Sequence, residues 1–248
     1  MGNNFNKKRL VVIPAYNEQQ NIGQVIADIR ESVEEIDIVV IDDGSNDDTA
    51  LCAGRAGAMV IRLSSNMGYG VALQTGYKYA FERGYGCLVQ LDGDGQHNPV
   101  YIDKLLDVII SQDADLVIGS RFREKTSLEK GSSGQYKAGI ARKLGIRLFA
   151  FLTTKLVGIR VTDPTSGYQA FNRRVIAFFI NDFFPCDYPD ADVIVMAHRA
   201  GFKIKEIPVV MYERNNGVSM HSGIKPVYYV FKMFLSMFMT LIRKRPVS

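Results

Sequence analysis

The sequence predicts an α/β fold: a mostly parallel sheet flanked by helices, followed by amphipathic C-terminal helices. Three observations predict it. Short apolar runs alternate with stretches of helical spacing. Polar residues gather where the apolar runs stop. The 248 residues, 47% hydrophobic, suffice for a sizeable core.

The elements follow in order. Leu10–Ile13 is an apolar strand stopped by Pro14. Asn21–Val33 has helical spacing, with Ile22, Val25, Ile26 and Ile29 on one face. Ile36–Ile41 is a second strand, ending in Asp42-Asp43-Gly44. Ser45-x-x-Asp48 is a capping-box pattern that would open a helix through Arg55. Met59–Leu63 is a third strand, Gly70–Arg83 a helix, Cys87–Leu91 a fourth strand, Pro99–Ser111 a helix and Asp115–Gly119 a fifth strand. Glu124–Gln135 is polar and reads as a loop. Tyr136–Val157 is a long helical stretch, and Thr162–Gly167 a turn. Helices at Arg174–Asn181 and Ala191–Ala200 precede a strand at Lys203–Ile207.

In sheets of this kind ligands bind at the carboxyl ends of the strands. Here those ends carry Tyr16, Asn17 and Glu18, then Asp42 and Asp43, then Asn66, then Asp92 and Asp94, then Arg121. Any one of them fits a turn; together they make a candidate site. Three scattered cysteines fit neither a disulfide framework nor a zinc site, and the N-terminus lacks an apolar signal region, so a cytoplasmic protein is expected. The net charge of +4 is unevenly spread: residues 121–160 carry +8 and residues 225–245 carry +5, leaving −9 elsewhere. Such separation suits one face that meets phosphates or a lipid surface. No base-stacking motif accompanies it, so nucleic acid is not expected.

The stretch LVQLDGDGQHNP, Leu88–Pro99, ends a strand in two carboxylates one glycine apart. Like charges so close need a neutralising partner. An EF-hand beginning at Asp92 would need Gly at its sixth position and Glu at its twelfth, where His97 and Asp103 stand. The first strand leads into PAYNE, not into a glycine-rich dinucleotide fingerprint, and no Walker loop is present. Asp92, Asp94 and Gln96 are instead hard oxygen donors suited to Mg²⁺ or Mn²⁺, which would bridge the carboxylates to a diphosphate.

PAYNE (14–18), IDDGSNDDT (41–49), NMGYG (66–70), LDGDGQHNP (91–99), GSRF (119–122) and TDPTSGYQAF (162–171) together resemble the family 2 glycosyltransferases of GT-A type, with a Rossmann-like sheet. Within that family the resemblance is to the dolichol-phosphate and polyprenyl-phosphate sugar synthases, over roughly residues 9–220. It implies a UDP- or GDP-sugar donor, a divalent metal and inversion at the anomeric carbon. It implies that Pro14, Tyr16, Glu18 and Asp42 line the nucleotide pocket, with Asp43 and Asp92 completing the donor set, and that Asp92, Asp94 and Gln96 hold the metal. Two departures stand out. Many membrane-bound relatives carry transmembrane helices after the catalytic domain, and this sequence has none there. Asn98 replaces the first proline of the usual QHPP, which a turn before Pro99 tolerates.

The acceptor decides what further chemistry is needed. A lipid phosphate is already anionic and needs cations to hold it. Arg121, Arg142 and then Arg214 are the candidates, whereas Arg123 and Arg147 read as surface charges. A sugar hydroxyl would need a carboxylate base, for which Asp163 is the candidate and Asp190 and Asp192 the alternatives; these two also suit helix capping. Asp163 could instead orient the acceptor arginines. His97 reads as a turn residue near the site and His198 as a helix-surface residue. A non-catalytic nucleotide-sugar-binding scaffold is a third reading, weakened by the presence of both metal carboxylates.

The sequence divides into a catalytic domain, 1–223, and an amphipathic segment, 224–248. Val227–Arg245 holds sixteen residues of apolar character up to Ile242, interrupted by Lys232, which is short for a membrane span. Lys232, Ser236 and Thr240 form one polar stripe, and Arg243, Lys244 and Arg245 follow. The segment is expected to lie in a membrane interface or against a small membrane-protein partner, at the cytoplasmic face.

Overall fold

The computed structural model describes residues 8–123, 140–186, 189–212, 235–240 and 242. Its strands are Arg9–Ala15 (β1), Asp37–Asp42 (β2), Met59–Arg62 (β3), Cys87–Gln90 (β4), Leu116–Ser120 (β5), Gln169–Asn172 (β6) and Ile204–Pro208 (β7). They form one sheet in the order β3-β2-β1-β4-β6-β5-β7. All pairings are parallel except those of β6, which runs antiparallel to both β4 and β5.

The helices are Ile22–Ser32 (α1), Thr49–Arg55 (α2), Tyr69–Glu82 (α3), Ile102–Ile110 (α4), Ile140–Val157 (α5), Arg173–Phe179 (α6) and Ala191–Arg199 (α7). Side chains alternate across each strand, so the sheet builds two cores. Leu10, Val12, Val39 and Ile41 face a cluster containing Leu73, Tyr77, Phe149, Phe171, Phe179 and Ile194. Val11, Ile13, Ile38 and Val40 face another containing Ile22, Ile26, Ile29, Leu105 and Leu106. Strands buried on both faces read as continuous apolar runs, which is why β1, β2 and β4 stand out in the sequence.

This topology positions the site. The chain winds from β1 outward to β3, then returns to lay β4 on the other side of β1. The reversal between β1 and β4 is the switch point where a crevice opens at the strands' carboxyl ends. It sets the PAYNE loop beside the DGDGQ loop.

Two local expectations change. Strand β6 went unread because its four residues, Gln-Ala-Phe-Asn, have two amides and no apolar run. The Gln169 side chain is satisfied internally, donating to the Ser166 carbonyl at 2.8 Å. Ser45 does not cap α2, which begins at Thr49 without a side-chain cap from Asp48. Ser45 Oγ instead accepts the Asn17 N–H at 2.9 Å, and Thr49 Oγ1 accepts the Glu18 N–H at 2.8 Å. The polar run after β2 therefore anchors the loop after β1. The Glu124–Gln135 loop lies outside the described residues.

Residues 235–240 are helical and lie against α7. Met237 is buried in the α5–α7 core, and Ser236 Oγ donates to the fully buried Asp192 carboxylate. Among the described residues no helix is long and apolar enough to cross a membrane. Burial pushes the Asp192 carboxyl above its ordinary value. The folded chain then takes up this proton more readily than the unfolded one, so the charged form opposes folding above the folded pKa, and that cost fades as pH falls. Asp192→Asn removes the charge and keeps the acceptor oxygen. It is expected to raise the calorimetric unfolding midpoint at pH 8, with the gain shrinking as pH is lowered towards 4.

Candidate active site

The loops at the carboxyl end of the sheet are tied together by their own carboxylates. Asp42, the last residue of β2, is fully buried, and its Oδ1 accepts the Ser45 N–H at 3.0 Å. Its Oδ2 lies 3.2 Å from Arg62 Nε but has no hydrogen-bond donor among the described residues. Asp43 is buried too, and its oxygens accept the Met67 and Gly68 N–H groups at 2.7 and 3.0 Å. It thereby fixes the start of α3. Pro14 is buried at the end of β1, while Tyr16 is exposed and Glu18 partly so. The Glu18 carboxylate accepts from Asn21 Nδ2 at 2.7 Å.

The DGDGQHNP loop is held from three sides. Tyr69, the first residue of α3, donates its hydroxyl to Asp92 Oδ1 at 2.8 Å. His97 is buried, and burial lowers its pKa to about 4. The neutral ring can therefore accept at Nδ1, which it does from the Asp92 N–H at 3.0 Å. The same ring stacks on Tyr168 with centroids 4.9 Å apart, and Tyr168 donates its hydroxyl to the Asn98 carbonyl at 3.0 Å. From the third side comes Tyr212. Its N–H donates to the Gln96 carbonyl at 2.8 Å, its carbonyl accepts from Gln96 Nε2 at 3.3 Å, and its hydroxyl accepts from Asn98 Nδ2 at 2.8 Å. Asn98 also accepts the Val100 N–H, starting the 3-10 turn at Pro99. A proline at 98 could make neither side-chain bond.

Asp92, Asp94 and Gln96 are each partly exposed. Asp94 Oδ1 accepts the Gln96 N–H at 3.1 Å, the turn that closes the loop. Gln96 spends its amide nitrogen on Tyr212 and not its oxygen. Two carboxylates and an amide oxygen on one ordered loop are a donor set that fits a hard divalent cation. Among the described residues no three His, Cys, Asp or Glu side chains gather as a metal cage. A cation here would take its other ligands from water or a bound phosphate.

At the end of β5, Arg121 meets Asp163 in a two-point ion pair, Nε to Oδ2 and Nη2 to Oδ1, both 2.7 Å. Asp163 is fully buried, and Oδ2 also accepts the Arg121 N–H at 3.1 Å. Glu206 holds this turn from below, accepting the Thr162 and Asp163 N–H groups on Oε1, both at 2.9 Å. Burial pushes the Glu206 carboxyl above its ordinary value. A cavity of about 290 Å³ lined by Arg123, Arg160, Thr162 and Glu206 opens nearby. Arg123 reaches the Glu206 carbonyl.

The structure thus brings Asp42, Asp43, Asp92, Asp94, Gln96, Arg121 and Asp163 onto one rim. Arg142 lies on α5 with its side chain outside the described residues, as are Arg214 and His221. Asp190 makes no side-chain cap to α7; the Asp192 carboxylate takes the Asp190 and Val193 N–H groups instead. His198 is half-buried on α7. Sequence reasoning missed Tyr69, Tyr168, Tyr212 and Glu206. Tyr69 and Tyr168 sit inside the quoted NMGYG and TDPTSGYQAF motifs and so left a trace, whereas Glu206 follows Lys205 in a mixed stretch that does not single it out.

The family model "Glycosyl transferase family 2" matches residues 10–178. A polyprenol monophosphomannose synthase of Mycolicibacterium smegmatis is 31% identical over 238 residues, 92% of this chain and 86% of its own. An undecaprenyl-phosphate mannosyltransferase of Micrococcus luteus is also 31% identical, over 86% of this chain and 87% of its own. In fold, the chain is similar to glucosyl-3-phosphoglycerate synthase of Mycobacterium tuberculosis, solved with Mn²⁺, UDP and glucosyl-3-phosphoglycerate. The TM-score is 0.68 and the identity 21%, over 97% of this chain and 81% of that one.

Proposed function

The chain belongs to the family 2 glycosyltransferases, and we propose that it moves a sugar from a UDP- or GDP-sugar to a polyprenyl phosphate at a membrane surface. The observation that carries the acceptor half of this reading is the Arg121–Asp163 pair. Full burial and two guanidinium contacts make Asp163 unsuitable as the base that a sugar hydroxyl would require. What stands at the end of β5 is an oriented arginine, the group a phosphate needs. Relatives named for polyprenol, undecaprenyl-phosphate and dolichyl-phosphate transfer support the same acceptor class.

On this reading a phosphate oxygen of the acceptor attacks the anomeric carbon as the bond to the nucleotide diphosphate breaks, with inversion. The attacking oxygen already carries charge, so no proton has to be removed. Arg121 orients it, joined by Arg142 and Arg214, and Asp163 holds Arg121 in place. The donor's nucleotide lies over Pro14, Tyr16, Glu18 and Asp42, with Asp43 fixing the loop beneath. Among the described residues Asp42 Oδ2 is a buried acceptor without a hydrogen-bond donor, which a base N–H or a ribose hydroxyl would supply. Asp92, Asp94 and Gln96 would hold Mg²⁺ or Mn²⁺, which when bound stabilises the negative charge on the departing diphosphate.

The C-terminal segment, 224–248, is the proposed membrane element of a catalytic unit spanning 1–223. Its described part seats Met237 and Ser236 on α7 and leaves Leu235, Phe238, Met239 and Ile242 exposed. Helix α5 likewise exposes Leu148 and Phe151. These apolar side chains, with the basic Arg243, Lys244 and Arg245 beyond them, suit an anionic lipid surface at the cytoplasmic face.

Labelled UDP- and GDP-sugars offered with polyprenyl phosphate or with oligosaccharide test the transfer. Organic-soluble label is expected with the lipid alone, and water-soluble label only would favour a sugar-hydroxyl acceptor. Arg121→Lys should reduce lipid-linked product about 10-fold or more while donor affinity holds, because a point charge cannot keep the two-point contact with Asp163 that orients the cation. Equal loss of donor affinity would move Arg121 to the diphosphate.

Sedimentation with vesicles containing phosphatidylglycerol tests the membrane element. The intact chain is expected in the pellet, with a salt-resistant part that is lost in Phe238→Ser/Met239→Ser, both exposed positions whose change should leave the fold intact. A chain that stays in the supernatant at low salt would contradict direct lipid binding.

A further inference from the structure

We propose that Tyr69 is a positioning residue, fixing the rotation of the Asp92 carboxylate so that the DGDGQ loop can take a divalent cation. The inference rests on the proposed cation role of Asp92. It stands on the geometry of three loops that meet at one carboxylate.

Tyr69 donates its hydroxyl to Asp92 Oδ1 at 2.8 Å. The backbone on either side of Tyr69 has little freedom. Asp43 holds the preceding Met67 and Gly68 N–H groups. The following Gly70 is pressed against a neighbouring chain segment so closely that a Cβ there would lie 2.1 Å from the Pro185 carbonyl oxygen. The ring therefore leaves a fixed point and reaches a fixed point. From the other side comes the TSG turn: a Cβ on Gly167 would lie 3.0 Å from Asp92 Oδ2 and 3.1 Å from the Tyr69 hydroxyl. Below, the Asp92 N–H is bound to His97 Nδ1. The carboxylate is thus contacted by a hydroxyl on one oxygen, flanked by backbone on the other, and anchored through its own amide.

A hydrogen bond to a ligating carboxylate sets its orientation and its basicity, and its loss commonly weakens metal binding 10- to 100-fold. Tyr69 carries that bond from a second loop, the one Asp43 ties to the end of β2. The nucleotide side of the rim and the cation side would thereby share one rigid connection. Tyr77, two turns along the same helix, supplies an internal control. Its buried hydroxyl donates its one proton to Gln90, in the strand that leads into the DGDGQ loop, and not to a carboxylate of that loop.

The test is titration of the full-length chain with Mn²⁺, reading free ion by its electron paramagnetic resonance signal, beside a thermal melt without metal. Tyr69→Phe removes one hydroxyl and is expected to weaken Mn²⁺ binding about 10-fold or more. Gly167→Ala, crowding the same carboxylate from the opposite side, should weaken it as well. Tyr77→Phe should lower the melting temperature and leave Mn²⁺ affinity at the native value. Native affinity in Tyr69→Phe overturns the inference, as does an equal loss of affinity in Tyr77→Phe, which would mark a general effect of lost tyrosine hydroxyls. Absence of Mn²⁺ binding by the native chain overturns the cation reading of Asp92 itself, and this inference with it.

Discussion

A carboxylate at the end of a buried strand must find hydrogen-bond donors, and the arrangement of this rim follows from where each one finds them. Asp42 takes the Ser45 N–H, Asp43 the N–H groups that begin α3, Asp163 the Arg121 guanidinium, and Glu206 the N–H groups of the turn that holds Asp163. The Asp42 tie closes its own loop, and the other three cross from one loop to the next. The loops are long and polar, yet they have fixed positions because acceptors and backbone donors satisfy one another internally. Four acids are thus engaged in architecture, and the partly exposed carboxylates of Asp92 and Asp94 lie among them on a loop that is itself held from three sides.

The same ties relate the two halves of the proposed chemistry. The chain runs from Glu206 in β7, beneath Arg121 and Asp163, to Tyr212, which grips Gln96 and Asn98. The acceptor side and the cation side therefore rest on one stretch of extended backbone. On the opposite flank Asp43, Gly68 and Tyr69 join the end of β2 to Asp92. Transfer between two anionic partners demands that both be placed to within a fraction of an ångström, and a rim braced from both flanks is suited to that demand.

Much of this was legible in the sequence, for physical reasons. Strands β1, β2 and β4 are buried on both faces and so read as unbroken apolar runs. Acids at strand ends mark the rim because a turn, unlike a strand, tolerates Asp-Gly. The family motifs located the rim's loops by resemblance. Other features could not be read. Strand β6 is short and half amide, and only its long-range antiparallel pairing with β4 and β5 makes it a strand. Ser45 and Asp48 fit a helix cap locally, and only the fold reveals that Ser45 serves the neighbouring loop. Tyr69, Tyr212 and Glu206 act across 23, 116 and 43 residues of sequence respectively, and no local pattern records a partner so distant. Asn98 looked like a tolerated replacement, whereas its side chain bonds both the next turn and Tyr212.

The central claim is a division of labour among carboxylates, and one paired measurement tests it: unfolding midpoint and Mn²⁺ affinity, determined together for Asp43→Asn and Asp94→Asn. An amide at 43 cannot accept both N–H bonds, so that variant should lose about 1–3 kcal/mol of stability. An amide at 94 can still accept the Gln96 N–H but is a poor ligand for a hard cation, so that variant should keep its midpoint and lose Mn²⁺ binding. An Asp94→Asn chain that binds Mn²⁺ as tightly as the native protein would contradict the account.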